Sequence, residues 1–313
     1  MTRRVLVTTG NGMFGHALVA ELANRDDIQV RAMVRDRSKF KLSGNNIEVV
    51  EGDMDDPASL VAPLTDVTHV YLSSPMDGHI AERETAVVDA ARAGGAPHIV
   101  AIYGAVRHHG DSLDSMHVES INHLKNSGLP WTLVSPNSVM ETSLAPFASQ
   151  LRMGAVMGMS GRGRVGLVAL ADVARVSATV ITTAGHEGEN LECTGPAALD
   201  MAEVTALFSN ALHRPIPYYD LPEDEFAKML LEHGAYPDMR ALEINVLCHL
   251  RAWRNGDADL VTDTVARVTG QAPVAVADWI AANIDDFARK PSMTNRIAGF
   301  FVKRRYGKYK LTT

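Results

Sequence analysis

Short aliphatic and β-branched runs, each followed by a stretch of helical periodicity, fill the first half of the chain. "RVLVTT" (4–9), "QVRAMVR" (29–35), "IEVVEGD" (47–53), "HVYLSS" (69–74), "HIVAIY" (98–103) and "WTLVSP" (131–136) read as strands. They lack strict in–out alternation, as strands do when both faces of their sheet are buried. Helices are expected near 13–24, 57–64, 79–94 and 115–127, with stop signals at "AGGAP" and "NSGLP". Strands alternating with helices predict an α/β fold with a doubly wound parallel sheet.

After residue 150 the pattern loosens. "GAVMGMSGRGRVG" (154–166) holds five glycines and two methionines and is expected to be a mobile loop, a lid over a pocket. A helix at 171–183 opened by Asp172, a strand at "ENLECTG", a helix capped by Asp200, a strand at "PIPYYDL" and further helices to 286 follow. The expected division is a nucleotide-type domain over 1–150, a smaller intertwined α/β lobe over 151–286, and a tail over 287–313.

Composition narrows the classes. With 46% hydrophobic and 21% charged residues, the chain resembles an ordinary globular protein. No apolar run approaches the roughly 20 residues of a membrane span, so none is expected. The start, "MTRRVLVTTG", lacks the apolar stretch of a signal peptide, and the expected location is cytoplasmic. Cys193 and Cys248 are too few for a disulfide framework or a metal cluster, so no metal is expected. The net charge of −7 conceals an asymmetry: residues 287–313 carry eight basic side chains and no acid, leaving −15 on the rest. Such a body repels nucleic acid, and no nucleic-acid partner is expected. In the tail, Ile297, Phe300, Phe301 and Tyr306 interleave with the basic residues. It is expected to pack on its own domain or across a homodimer.

The first strand runs into "TTGNGMFGHALVAEL", in which Gly10, Gly12 and Gly15 form GxGxxG. After a strand and at the start of a helix, this spacing suits a tight turn, close approach of a pyrophosphate and close helix packing. The helix N-terminus would supply free N–H groups to the phosphates. The same glycines would also serve a tight turn without a nucleotide. The second strand ends "MVRDRSKF", where Arg35, Arg37 and Lys39 suit a 2′-phosphate and favour NADPH over NADH. Asp36, turned inward, would suit NAD instead.

Taken in order, "VTTGNGMFG", "VRAMVRDRSK", "EGDMDDPASL", "HVYLSSP", "SGLPWTLVSPN", "ALADVARV" and "NLECTGPAAL" resemble the NmrA-like atypical short-chain dehydrogenase/reductases. The resemblance spans about residues 4–285. It implies a Rossmann-type sheet, a C-terminal substrate lobe and binding of NADPH/NADP+. Position by position, it assigns the loop from Thr9 through Gly10, Gly12, Met13, Phe14 and Gly15 to the pyrophosphate, and Arg35 and Lys39 to the 2′-phosphate. Asp53 and Met54 fall beside the adenine, Ser73, Ser74 and Pro75 near the middle of the cofactor, and Pro136, Asn137 and Val139 behind the nicotinamide. Thr9 departs from the pattern, which has glycine there.

The Ser-Tyr-Lys set of typical short-chain dehydrogenases is absent: Tyr103, Leu113 and His117 stand at the serine, tyrosine and lysine positions. "HVESINHLKNSG" instead resembles the bacterial NADPH:quinone oxidoreductase branch, although Ile121 replaces that branch's second glutamate. Leu113, His117, Ile121 and Leu124 share a helix face, so His117 is either a packed core histidine or a group that orients the cofactor or donates a proton. Tyr103, at the end of the fifth strand, is the other candidate acid, or a pocket wall.

Hydride transfer without that set requires chiefly orientation and an acceptor that tolerates the missing acid. The expected substrate is therefore a small aromatic, conjugated carbonyl compound such as a quinone or an aryl ketone. Met140, Met153 and Met157, with Met159, are expected to touch it, and Arg162 and Arg164 either touch it or are solvated. Ketoreductases of aromatic polyketides in antibiotic biosynthesis include members of this class. The competing reading is a redox sensor that binds NADP(H) without turnover.

Overall fold

The computed structural model describes residues 3–95, 97–104, 106, 112–289 and 292–311. Its strands, in chain order, are β1 (Arg3–Val7), β2 (Ile28–Val34), β3 (Ile47–Glu51), β4 (His69–Leu72), β5 (His98–Ile102), β6 (Trp131–Pro136), β7 (Val156–Gly158), β8 (Asn190–Cys193), β9 (Tyr218–Asp220) and β10 (Lys310–Leu311). Seven of them form a parallel sheet in the order β3-β2-β1-β4-β5-β6-β8, the Rossmann-type arrangement. The other three form a small sheet, β10-β9-β7.

Both faces of the large sheet are covered. Val5 and Val7 of β1 pack with Leu18, Val19 and Leu22 of helix α1 (Met13–Leu22) and with Val173, Val176 and Val180 of the helix Leu170–Thr182. Leu6 points the other way, into a core with Val87 and Val88 of α2 (Ile80–Gly94) and Leu124 of α3 (Ser112–Asn126). Adjacent residues of β1 thus bury opposite faces, which is why the strand shows no polar alternation. Each such side chain contributes about 2 kcal/mol through removal from water.

Several sequence expectations need correction. The helix expected over 57–64 is only a turn at Pro57–Leu60, opened by Asp56 and Pro57. The glycine-rich segment 154–166 is packed: Ala155 to Gly161 are buried and β7 pairs with β9. A Cβ on Gly163 would lie 1.9 Å from the Trp253 carbonyl oxygen, so this glycine serves close packing and not mobility. Residues 170–193 return to the large sheet, where Leu191 and Cys193 of β8 are buried. The lobe boundary at 151 therefore runs through interleaved chain. The described part of 287–313 is integral too: the helix Met293–Tyr306 begins with a capping box between Ser292 and Asn295, and β10 pairs antiparallel with β9.

Asp172 opens no helix: Ala169 is the N-cap. Fully buried, its carboxylate accepts from the Val274 N–H (2.8 Å) and pairs with Arg175. It ties that helix to the second lobe. Asp172→Ala would leave a buried N–H unpaired and a guanidinium without its carboxylate, and should cost about 3 kcal/mol in denaturant-induced unfolding. A loss below about 0.5 kcal/mol would refute this role.

Candidate active site

The order of the large sheet reverses between β1 and β4, so the loops at their carboxyl ends part and leave a crevice. Thr8 Oγ1 donates to the Ser73 carbonyl (2.7 Å) and accepts from the Ser73 N–H (3.1 Å). Thr9 Oγ1 lies 2.6 Å from Ser73 Oγ. The threonine that breaks the family pattern therefore fastens the loop to β4. It does so without strain, because Thr9 is not among the non-glycine residues with positive φ.

At Gly15 a Cβ would fall 2.0 Å from the Thr9 carbonyl oxygen. Only glycine lets α1 start this close to the loop. Gly12 is the N-cap and gives no side-chain cap. The first intrahelical bond is His16 N–H to the Gly12 carbonyl (2.8 Å), so the amides of Met13, Phe14 and Gly15 have no partner within the helix. Free donors at the positive end of a helix dipole fit a pyrophosphate.

At the end of β2, Arg35, Arg37 and Lys39 are exposed. Asp36 caps the next turn through Ser38, accepting from its N–H (3.0 Å) and its hydroxyl (2.6 Å), and lies 3.4 Å from Lys39 Nζ. The Ser38 hydroxyl and N–H hold its carboxyl below the ordinary range. Asp36 is thus engaged in its own loop. Across the rim, Met54 is buried, Asp53 is half-buried and accepts from the Asp55 N–H (3.1 Å), and Pro75 is exposed.

Between the lobes lies a cavity of about 940 Å³. Met13, Phe14, Ser73, Ser74, Pro136, Asn137 and Val139 stand on its first-lobe wall. Asn137 is 8% exposed; its amide donates to the Ala258 carbonyl (2.9 Å), while Oδ1 has no hydrogen-bond partner. Such a buried acceptor fits a donor from a bound molecule, such as a carboxamide N–H. The opposite wall is mostly apolar and aromatic, with Met153, Met157, Phe226, Tyr236, Trp253 and Phe301, and also carries His233, His249 and Arg305.

The sequence candidates divide. His117 lines the cavity, as does Leu113 beside it on α3. Tyr103 is buried outside the wall and meets the His117 ring edge-on at 5.7 Å. Met153 and Met157 line the cavity, but Met140 is fully buried in the core with Leu144 and Phe208; its predicted substrate contact is corrected. Met159 is likewise buried. Arg162 pairs with Asp200 (3.0 Å) and Arg164 with Glu203 (3.0 Å), so both brace the lobe.

Sequence reasoning missed Glu84. It stands in the apolar stripe of α2 with Ile80, Val87, Val88 and Ala91, a position where an acid is itself a signal. Glu84 is 4% exposed and lines the cavity. It accepts from Ser74 Oγ (2.7 Å) and from Ser120 of α3. Burial pushes its carboxyl up to about 7, although both hydroxyls favour the charged form. A raised carboxyl favours the folded state only while protonated. Stability should therefore fall as pH rises from the ordinary glutamate range through about 7, by roughly 3 kcal/mol in all. Glu84→Gln should flatten that slope in denaturant titrations across pH, and an unchanged slope would refute the assignment.

The chain belongs to the NAD(P)H-binding family, whose model matches residues 10–184. It is 29% identical over 289 residues to the NAD(P)H azoreductase of Xenophilus azovorans, covering 90% of this chain and 99% of that one. Identity is 30% over 292 residues to (4-alkanoyl-5-oxo-2,5-dihydrofuran-3-yl)methyl phosphate reductase of Streptomyces griseus, with 91% and 99% covered. The structure of the NADPH-dependent quinone oxidoreductase of Escherichia coli complexed with NADPH superposes with a TM-score of 0.80 at 26% identity, over 90% of this chain and 99% of that one. The chain is an NAD(P)H-dependent oxidoreductase, and the motif-based resemblance is upheld at that level. Among the described residues, no helix is long and apolar enough to cross a membrane.

Proposed function

We propose that the chain is an NADPH-dependent reductase of flat, conjugated acceptors, quinones or related aromatic carbonyl and azo compounds. The observation that carries this reading is the cavity itself. One wall continues from the glycine loop, and the facing wall carries methionine and aromatic side chains with a few polar groups among them. About 940 Å³ is enough for a nicotinamide end and an aromatic ring together. The relatives' substrates, a quinone, an azo compound and a furanone, are conjugated acceptors of this kind.

The residues divide the work. The amides of Met13, Phe14 and Gly15 would hold the pyrophosphate, and Arg35 and Lys39 the 2′-phosphate. Asp53 and Met54 would border the adenine. Ser73, Pro136, Asn137 and Val139 would fix the nicotinamide, which supplies the hydride when bound. Met153 and Met157 would press a flat acceptor against it, with soft thioethers suited to an aromatic face. His117 would orient the ribose or the acceptor from α3. Holding donor and acceptor at near-attack distance is the main catalytic contribution.

Steady-state turnover across a benzoquinone, a naphthoquinone, an azo dye, an aryl ketone and an aliphatic ketone tests this reading. Conjugated acceptors should exceed the aliphatic ketone by at least about 100-fold in kcat/KM, equivalent to roughly 2.7 kcal/mol of transition-state stabilisation. Equal turnover of the aliphatic ketone would overturn it. Met153→Lys, which places a charge in the apolar wall, should raise the acceptor KM about 10-fold or more while leaving the NADPH KM unchanged. The reverse pattern would move the acceptor elsewhere.

A further inference from the structure

Reduction of a quinone or ketone adds a hydride and a proton, and by the resemblance Tyr103, Leu113 and His117 stand where the Ser-Tyr-Lys set would ordinarily handle the proton. Tyr103 lies outside the cavity wall. The wall does hold a buried carboxyl. Glu84 is placed between two hydroxyls from separate elements, Ser74 after β4 and Ser120 on α3. Ser74 also stands on the wall, next to Ser73, which the Thr8 and Thr9 side chains tie to the phosphate loop. The carboxyl is thus fixed to the same frame as the cofactor cradle.

We propose that Glu84 and Ser74 form the proton relay of this reductase, with Ser74 as the group that meets the acceptor oxygen and Glu84 as the proton store behind it. The proposal rests on the reductase reading above.

A protonated carboxyl is a donor as well as an acceptor. When Glu84 gives its hydrogen to Ser74 Oγ, the serine turns its own O–H toward the cavity. As the acceptor takes the hydride, the Ser74 O–H bond breaks and the new O–H bond forms on the acceptor oxygen. The Glu84 O–H bond breaks in turn, the Ser74 O–H is restored, and Glu84 is left as carboxylate. NADP+ and the reduced acceptor leave, and water entering the open cavity returns the proton. Ser120 holds the second carboxyl oxygen and sets the geometry.

Among the described residues, charged side chains on the elements around this pair meet partners of their own. Arg83, the neighbour on α2, turns to Asp55 (2.7 Å) and Asp77 (2.8 Å), and Asp89 meets His123 of α3 (2.9 Å). His79 pairs with Glu82 (2.7 Å) at the start of α2. His117, one turn before Ser120, lines the same cavity on this side, while His233, His249, Arg305 and the tyrosines 218, 236 and 306 belong to the facing lobe. Burial and two hydroxyls govern the carboxyl, and its pushed-up value near 7 suits a donor working near neutral pH.

The test compares wild type with Glu84→Gln, Ser74→Ala and Ser120→Ala. Isotope-edited infrared spectroscopy of the free protein should show a buried carboxyl titrating near neutral pH, absent in Glu84→Gln and retained in Ser74→Ala. With a quinone acceptor, Glu84→Gln and Ser74→Ala should each lower kcat roughly 100-fold with an unchanged KM for NADPH. Glu84→Gln should also lose the limb in which wild-type activity falls as pH rises. Ser120→Ala should shift that limb to higher pH, because it removes a hydroxyl that favours the charged form. Turnover by Glu84→Gln that keeps the limb, or wild-type turnover by Ser74→Ala, overturns the relay and leaves the reductase standing. A wild-type protein that binds NADPH yet reduces no acceptor overturns the reductase reading and the relay with it.

Discussion

Gly15→Ala should weaken NADPH binding at least about 100-fold, roughly 2.7 kcal/mol. The new methyl group would lie 2.0 Å from the Thr9 carbonyl oxygen, a backbone atom held by the bond from Gly12 N–H (2.8 Å) and by the Thr9–Ser73 contact. It cannot turn aside as a flexible side chain would. Either α1 withdraws from the loop, taking the free amides of Met13 and Phe14 with it, or the loop leaves β4. Both outcomes dismantle the cradle. Some stability should be lost as well, in the range of about 1–3 kcal/mol expected of an overpacked site. Fluorescence titration with NADPH alongside thermal unfolding separates the effects. An unchanged Kd in a folded Gly15→Ala protein would mean that the phosphates lie elsewhere.

The second large effect concerns the choice of nucleotide. Arg35 and Lys39 are exposed at the end of β2, and Asp36, the acid that would favour the ribose hydroxyls of NAD, caps its own turn through Ser38. Replacing Arg35 and Lys39 together by alanine should lower NADPH affinity about 100-fold, through loss of two charge-assisted contacts to one phosphate. NADH affinity should stay within about 2-fold, because NADH lacks that phosphate. Raising the salt concentration should narrow the wild-type preference, since both groups are solvated. A parallel loss for both nucleotides would place the pair in the fold and not in recognition.

Much of the first lobe was legible because its constraints are local. The six early strands begin and end within a few residues of the apolar runs that announce them, and β1, the glycine loop and α1 follow one another without a gap. The return of residues 170–193 to the sheet was less visible: four-residue β8 carries only two buried positions, Leu191 and Cys193. The segment 154–166 was misread because glycine has two uses. Its permissive backbone suggests motion, but at Gly163 it is the missing Cβ that matters, and the Trp253 carbonyl that demands it is 90 residues away in sequence. The described part of the basic end packs on its own domain, one of the two arrangements expected, through the helix capped at Ser292 and the pairing of β10 with β9.

Of the candidate site, motif spacing located the glycine loop between β1 and α1 and the exposed basic cluster after β2, and periodicity put His117 and Leu113 on one face of α3. The methionines could not be sorted, because Met140 and Met153 differ only in which side of the cavity wall they occupy. Glu84 escaped notice because its partners, Ser74 and Ser120, come from a loop and another helix. Its signal was a single acid in an apolar stripe.

The most direct test of the account is an anaerobic single turnover. The protein is loaded with NADPH, mixed with a naphthoquinone, and followed by the absorbance of the reduced nicotinamide. One NADPH should be oxidised for each quinone reduced, and the same mixture with NADH should react much more slowly. NADPH that binds tightly and stays reduced, with this quinone and every other conjugated acceptor, would contradict the account and identify a protein that senses the nucleotide without consuming it.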